Sequence, residues 1–143
     1  MMYKSTSPDP AEQLRHAMRQ WASGIGIATT HQDGQPHGLT VSSFTSISVD
    51  PPIVMISVHK EAEPHDQFLQ AGVFAVTLLS AGQEQLSDRF AGRTGDQDRF
   101  SGLDTFTLET GSPLLPGGLA IFDCRITGTF GTSTTTAFFG EVV

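Results

Sequence analysis

The chain has few of the residues that mark several large classes of protein. Its 143 residues include one cysteine, Cys124, so no internal disulfide is possible and a reducing compartment is expected. No apolar run reaches the length of a membrane span, and the N-terminal segment has no apolar signal core. No Cys/His cluster has metal-ligand spacing, so no metal site is expected. These absences together predict a cytoplasmic protein without a membrane partner.

Positive charge is also scarce. Eight Lys and Arg stand against fifteen Asp and Glu, which gives a formal net charge of −7. Nucleic acids and anionic membranes are therefore not expected as partners. A single phosphate group needs only one or two cations and some backbone donors, so a phosphorylated small molecule stays compatible with this charge.

Length and hydrophobic content favour one folded domain. We expect residues 9–143 to form it, behind a loose tail of residues 1–8. Asp9 is a predicted helix N-cap, followed by Pro10, and Gly24 is the expected end of that helix. Three apolar side chains share one helical face and are expected to pack in the core: Leu14, Met18 and Trp21. The single Tyr and the single Trp lie in the first 21 residues, so an aromatic stack on a ligand ring is expected from Phe44, Phe90 or another phenylalanine.

The rest of the chain alternates between predicted strands and short excursions. Strands are predicted at residues 25–30, 36–43, 53–58, 73–79, 119–129 and 137–143, with short helices at 64–71 and 83–92. Residues 93–100 are polar and contain a glycine, so a loop is predicted there. Hairpin signals such as Asp33-Gly34 favour an antiparallel barrel with peripheral helices over a doubly wound sheet. No GxGxxG follows a strand, so a Rossmann cofactor site is not supported.

Small hydroxyl residues are concentrated in residues 37–48, HGLTVSSFTSIS. Four of them follow Gly38 closely: Thr40, Ser42, Ser43 and Thr45. A hydroxyl-rich strand end beside a glycine offers N–H and O–H donors to an anion or a ring carbonyl without side-chain bulk. A polar-faced edge strand is the alternative interpretation.

Four sequence blocks resemble, in order, the flavin reductase-like family. They are GLTVSSFTSISVDPPIVMISVHKE, GVFAVTLLSAGQEQLSDRFAG, TGSPLLPGGLAIFDCRITG and FFGEVV, within about residues 13–143. The family comprises small NAD(P)H:flavin oxidoreductases that feed reduced flavin to two-component monooxygenases. The resemblance implies a mainly β, antiparallel FMN-binding split barrel and a homodimer. It also implies FMN or FAD as the flavin, NADH or NADPH as co-substrate and a flavin-dependent monooxygenase as partner.

The resemblance also assigns flavin-contacting residues in three segments. They are Thr40, Val41, Ser42 and Ser43; Ser57, Val58, His59 and Lys60; and Arg89, Phe90 and Ala91. Lys60 and Arg89 would approach the phosphate, although a solvated lysine and an Arg89 ion pair with Asp88 or Glu84 are the alternatives. No catalytic residue is assigned, since the flavin itself carries the hydride chemistry.

Three features depart from the family pattern. Glu61-Ala62-Glu63 stands where a phosphate-binding Ser or Thr is common, which weakens phosphate binding unless other donors compensate. Thr135 stands where the family often has a histidine that positions nicotinamide. The chain stops at Val143, within a predicted strand and before the family's usual C-terminal segment, so an exposed sheet edge is expected there. Either the chain is a shortened homologue, or the partner subunit covers this edge.

These departures keep more than one function open. The first interpretation is a flavin reductase. The second is a flavin-binding protein that has lost nicotinamide-dependent turnover or uses flavin for another reaction. A haem-binding split barrel is the third, and no histidine is an obvious axial ligand for it.

Overall fold

The computed structural model describes residues 6–95 and 98–143. Residues 1–5 of the predicted tail, and residues 96 and 97 of a predicted loop, lie outside this range. The elements are α1 (Pro10–Met18), β1 (Gly26–Gln32), β2 (Gln35–Val41), β3 (Phe44–Ser48), β4 (Ile53–His59), α2 (His65–Ala71), β5 (Val73–Leu78), a 3₁₀ turn (Ala81–Gln83), α3 (Glu84–Phe90), β6 (Ala120–Gly131) and β7 (Thr135–Val142). The predicted strands are all present, and the hydroxyl-rich segment adds β3 as a strand of its own.

The strands form one antiparallel sheet, which curls into a half-barrel. Its order is β2-β1-β5-β6-β7-β4-β3, and each neighbouring pair runs antiparallel. The two edge strands, β2 and β3, are consecutive in the chain and are joined by Ser42 and Ser43. The predicted antiparallel split barrel is therefore confirmed. The two-residue connection Ser42-Ser43 links the strands that form the two edges of the sheet.

The expectation that the last strand forms an exposed edge is wrong. Strand β7 pairs with β6 on one side and with β4 on the other. It lies inside the sheet because the chain returns from β6 through a short turn and then runs alongside the much earlier β4. The sequence of β7 alone carries no signal for that second, long-range pairing.

Helix α1 begins as predicted but does not pack as predicted. The Asp9 carboxylate accepts a hydrogen bond from the Ala11 backbone N–H at 3.1 Å, and the helix ends at Met18 rather than at Gly24. The helix buries no residue, and Leu14, Met18 and Trp21 are 63%, 53% and 71% exposed. The periodicity correctly indicated an apolar face, but it does not reveal what that face meets.

The single cysteine has a structural role. Cys124 lies in β6 and is fully buried. Burial, together with the neighbouring negative charge of Asp123, raises the pKa of the Cys124 thiol to about 12. The thiol is therefore protonated at neutral pH and cannot serve as a nucleophile.

Candidate functional site

Two of the three predicted site segments meet at one end of the sheet. Strand β2 ends at Val41 and β4 ends at His59, while β7 begins at Thr135. His59 and Thr135 face each other in the β4–β7 ladder. The Ser43 hydroxyl reaches the backbone of Ser57. The fold therefore brings residues 40–43 and 57–60 together, with Thr135 beside them.

Two of the four clustered hydroxyls are used to hold this end of the fold. The Ser43 hydroxyl donates to the Ser57 carbonyl at 2.9 Å and accepts from the Ser57 N–H at 3.0 Å. The Thr40 hydroxyl donates to the Ser87 carbonyl at 2.6 Å and so ties β2 to α3. Neither proton is available to a ligand while these bonds last. Ser42 and Thr45 are the exposed hydroxyls of the cluster.

Two predicted contact residues point their side chains into the core. Val41 is 5% exposed and Val58 is 1% exposed, and both belong to the main hydrophobic cluster. Because side chains alternate along a strand, their neighbours Ser42 and His59 face outward. Any contact from Val41 or Val58 to a ligand must therefore come from the backbone.

Arg89 is engaged with a loop. Its guanidinium donates to the backbone carbonyls of Asp98, Arg99 and Ser101 at 3.4, 2.7 and 2.5 Å. These bonds fix the turn that carries Arg99. The Arg99 Nη1 in turn donates to the carbonyls of Gly38 and Phe90, each at 2.9 Å. Arg89 thus positions Arg99 against β2 and α3.

A first depression, which we call the Arg99 cleft, lies between β2, α3 and the turn after β4. It has a volume of about 330 Å³ and is lined by Leu39, Thr40, Ala62, Glu63, Pro64, Phe90, Ala91 and Arg99. Among these described lining residues, Arg99 is the cation, and Glu63 is the carboxylate that opposes it. The cleft brings together three predicted site residues, Thr40, Phe90 and Ala91. It also contains Arg99, which the resemblance to the family does not include among the site residues.

A second depression, which we call the Trp21 cleft, lies where β2 passes into β3. It has a volume of about 380 Å³ and is lined by Met18, Trp21, Ser23, Ser42, Ser43, Phe44, Thr45 and Met55. Both clefts fall within the size range of small-molecule sites, about 300–1,000 Å³. The Trp21 cleft combines apolar and aromatic side chains with hydroxyls, whereas the Arg99 cleft carries charge.

Gly38 serves packing rather than ligand access. A Cβ placed there would lie 3.0 Å from Phe90 Cε1, 3.1 Å from Phe100 Cζ and 3.2 Å from the Ala28 carbonyl oxygen. The two phenylalanine rings meet edge to face with centroids 5.0 Å apart. The missing side chain at Gly38 therefore lets these rings, and with them α3, close onto β2.

Lys60 lies beside the β6–β7 turn. Its backbone N–H donates to the Thr134 carbonyl at 2.8 Å, and its Nζ would be 3.6 Å from a Cβ at Gly131. The side chain is exposed. Lys60 thus stands near Thr135, the residue at the family's nicotinamide position.

A buried histidine braces the same corner. His65 is 5% exposed; its Nδ1 lies 2.9 Å from Asp66 Oδ1 and its Nε2 lies 2.8 Å from Thr136 Oγ1. A neutral imidazole that donates to Asp66 accepts the Thr136 hydroxyl at Nε2. His65 therefore links the start of α2 to β7 next to Thr135, and its location at a helix start was the signal available in the sequence.

Comparison with known proteins decides the family. The flavin reductase like domain matches residues 18–143 of the chain. The chain belongs to the flavin reductase-like domain family. Among curated relatives, FMN reductase (NADH) RutF 2 of Methylorubrum extorquens is 40% identical over 124 residues, covering 84% of this chain and 72% of that protein.

Solved structures agree with this membership. The NADH:FAD oxidoreductase SgcE6 of Streptomyces globisporus C-1027 superposes with a TM-score of 0.89 at 33% identity, covering 100% of this chain and 86% of the other. The styrene monooxygenase flavin reductase of Pseudomonas putida S12 superposes with a TM-score of 0.79 at 36% identity, covering 90% and 81%. SgcE6 has also been solved in complex with NAD and FAD fragments. The superposed structures and the matched domain thus agree on a flavin reductase-like fold for the described residues of this chain.

Two features of this flavin reductase-like domain were missed by sequence reasoning. The sequence predicts that Arg99 lies in a polar loop. The structure shows that Arg99 lines the Arg99 cleft, where a hydrogen bond from Arg89 to the Arg99 carbonyl holds the turn in place. The sequence also predicts that Trp21 is buried in the core, whereas Trp21 lines the Trp21 cleft.

Within the parts of the chain that the structure describes, no helix is long and apolar enough to cross a membrane. The same residues contain no group of three or more His, Cys, Asp or Glu that could hold a metal ion.

Proposed function

We propose that this protein is an NADH-dependent flavin reductase that supplies reduced FMN or FAD to a partner monooxygenase. The observation that carries the proposal is its family membership. RutF 2 is an NADH-dependent FMN reductase by name and SgcE6 an NADH:FAD oxidoreductase. The monooxygenase partner is suggested by the styrene monooxygenase flavin reductase, which is 36% identical to this chain over the aligned residues.

The chemistry of the two clefts fits the two ends of a flavin nucleotide. The Arg99 cleft offers a guanidinium to a phosphate. Because Nη1 of Arg99 already donates to the Gly38 and Phe90 carbonyls, the phosphate would meet the paired Nε and Nη2 donors. The Trp21 cleft offers aromatic and thioether surface to a flat ring and hydroxyls to its polar edge. Residues 40–43 run from one cleft to the other and would follow the chain between phosphate and ring.

The bound flavin would supply the hydride-accepting chemistry, and the protein would supply orientation and charge. Arg99 and Lys60 would balance the negative charge of phosphate and of reduced flavin. Glu63 lies in the Arg99 cleft and opposes that attraction, so weak flavin retention is expected. Weak retention suits a flavin that must leave for a partner enzyme.

A flavin-binding protein without nicotinamide turnover is the second candidate. Thr135 favours it, because a threonine hydroxyl is shorter than a histidine ring and cannot carry positive charge. The loss of one such hydrogen bond typically costs about 1 kcal/mol, or several-fold in binding. We therefore expect turnover with weak nicotinamide affinity.

Anaerobic mixing of the purified protein with FMN and NADH tests the proposal. Flavin absorbance is expected to bleach faster than without protein, and Thr135→His is expected to lower the apparent KM for NADH several-fold while the Kd for FMN stays unchanged. Ser133→His, at an exposed position of the same turn, is the matched control. If neither the native protein nor Thr135→His bleaches FMN at millimolar NADH, the binding-protein alternative is the better account.

We also propose that the protein is a cytoplasmic homodimer. The support is a set of large apolar side chains exposed in the single chain: Leu14, Met18, Trp21, Leu119, Ile121 and Phe130, each at least 40% exposed. Large apolar side chains that are exposed together in a single chain commonly mark a protein interface. Light scattering at micromolar concentration is expected to give the mass of two chains, and the mass of one chain would contradict the dimer.

A further inference from the structure

We propose that Glu63 makes the protein prefer FAD to FMN, because its carboxylate repels the terminal phosphate of FMN more strongly than the inner phosphate of FAD. The inference rests on the proposed function and refines it, since that function leaves the choice of flavin open. Both flavins carry a phosphate at the end of the ribityl chain, and the Arg99 cleft is the part of the site that would receive it. The charge in this cleft therefore selects between the two flavins.

The Arg99 cleft supplies little net charge to attract a phosphate. Its described lining residues include one cation, Arg99, and one carboxylate, Glu63, so their formal charges cancel. The Arg99 Nη1 already donates to the carbonyls of Gly38 and Phe90, each at 2.9 Å. A phosphate would therefore meet the Nε and Nη2 groups of a single guanidinium, and it would do so beside a carboxylate.

Other donors near the cleft make contacts of their own. The Thr40 hydroxyl donates to the Ser87 carbonyl at 2.6 Å, and the Arg89 guanidinium donates to backbone carbonyls of residues 98–101. Lys60 is not among the described residues that line the cleft, and its Nζ would be 3.6 Å from a Cβ at Gly131. These groups do not offset the charge of the Glu63 carboxylate within the cleft.

A small cavity that adjoins the cleft adds negative charge around Arg99. It has a volume of about 60 Å³ and shares Glu63 and Arg99 with the cleft. Asp98 also lines this cavity, and its carboxylate accepts a hydrogen bond from the Phe100 backbone N–H at 3.0 Å. His37 lines it as well and adds positive charge only when it is protonated. With His37 neutral, the described lining of cleft and cavity together holds two carboxylates and one guanidinium.

The two flavins bring different charges to this cleft. A phosphate monoester such as that of FMN carries about −1.5 to −2 charges at pH 7. The inner phosphate of FAD is esterified on one side and joined to the second phosphate on the other, so it has a single ionised oxygen. Glu63 is exposed, so solvent weakens the repulsion without removing it. FMN therefore loses more affinity to Glu63 than FAD does.

Equilibrium dialysis with riboflavin, FMN and FAD tests the proposal, because the three ligands share one ring and differ in phosphate charge. The native protein is expected to bind FAD more tightly than FMN. An interaction between exposed charges changes affinity by up to about 5-fold per unit charge. Glu63→Gln should therefore raise the affinity for FMN by roughly 4- to 25-fold and for FAD by roughly 2- to 5-fold. Riboflavin affinity should not change.

Glu61→Gln is the matched control. It removes the same charge from another exposed residue two positions away, and Glu61 is not among the described residues that line the cleft. The ratio of FMN to FAD affinity should stay close to the native value in this variant. Glu63→Lys reverses the charge and should make FMN the more tightly bound of the two. Salt at 1 M should reduce both effects, because the Debye length falls to about 3 Å.

The results separate this proposal from the proposed function. Tighter binding of FMN than of FAD by the native protein, or an unchanged affinity ratio in Glu63→Gln, would overturn the role of Glu63. An equal shift in Glu61→Gln would also overturn it. In each case, NADH-dependent bleaching by the native protein would leave the reductase function standing. The expected affinities without any bleaching would support the role of Glu63 and contradict the reductase. If none of the three flavins binds, both proposals fail.

Discussion

Ser42→Leu is expected to weaken flavin binding by roughly 5- to 150-fold while leaving the fold intact. Ser42 is exposed and lines the Trp21 cleft, so a leucine would occupy space assigned to the ring. Overpacking of a fitted site costs about 1–3 kcal/mol, and each 1.4 kcal/mol is tenfold in affinity. Flavin fluorescence titration measures the affinity, and the thermal midpoint measures the fold.

Ser42→Ala is the matched control, since it removes the hydroxyl without adding bulk. It should weaken binding several-fold at most, because one neutral hydrogen bond is worth about 1 kcal/mol. The effect on stability should be small in both variants, since exposed substitutions usually change it by less than about 0.5 kcal/mol. Native-like flavin affinity in Ser42→Leu would show that the ring binds elsewhere.

Ser43 is unsuitable for the same experiment, although it is the immediate neighbour of Ser42. Its hydroxyl makes two hydrogen bonds to the backbone of Ser57, and these bonds hold the connection between the two sheet edges. A Ser43→Leu substitution would disturb that junction, so a loss of flavin binding would not distinguish occlusion from a loosened fold. The hydroxyl pattern of the sequence did not separate these two serines.

Local features of the fold could be predicted from the sequence because local physics produces them. Asp9 caps α1 through its own carboxylate, and the Asp33-Gly34 turn joins β1 to β2. Alternation of apolar residues along β4 likewise places Val54, Ile56 and Val58 in the core. Each of these signals lies within a few residues of the structure that it specifies.

The errors concern contacts between distant parts of the chain. Strand β7 pairs with β4, which lies about half the chain away in sequence, and the residues of β7 give no indication of this pairing. The apolar face of α1 has the spacing of a core helix but stays exposed in the single chain. A pattern gives the direction of a side chain relative to its own element, and only the fold decides what lies there.

The candidate site shows the same division. The resemblance located the segments at residues 40–43, 57–60 and 89–91, and the fold places Thr40, Phe90 and Ala91 on one cleft. The resemblance did not include Arg99, because Arg99 is brought to the cleft by hydrogen bonds across a loop, from Arg89 to the Arg99 carbonyl and from Arg99 to the Gly38 carbonyl. An arginine seen in sequence alone is equally suited to hold a ligand or a backbone carbonyl.

Gly140→Ala is expected to lower the free energy of unfolding by about 1–3 kcal/mol, the usual cost of overpacking a well-filled core. A Cβ at Gly140 would lie 2.6 Å from Phe74 Cε1 and Cζ and 2.8 Å from Cys124 Cβ. Phe74 and Cys124 are fully buried, so neither can move aside without shifting β5 or β6. Such a loss is a large part of the 5–15 kcal/mol that stabilises a typical domain. Urea unfolding measures it.

Gly128→Ala is the control, because a Cβ there meets nothing within 4 Å. It should unfold like the native protein. Phe74→Leu in the Gly140→Ala background then tests the assigned clash. Phe74→Leu alone should destabilise by leaving space in the core, but the pair should cost less than the sum of the two single changes, since the alanine methyl takes up part of that space. Strict additivity in this double-mutant cycle would show that the Gly140 methyl is accommodated without pressing on Phe74.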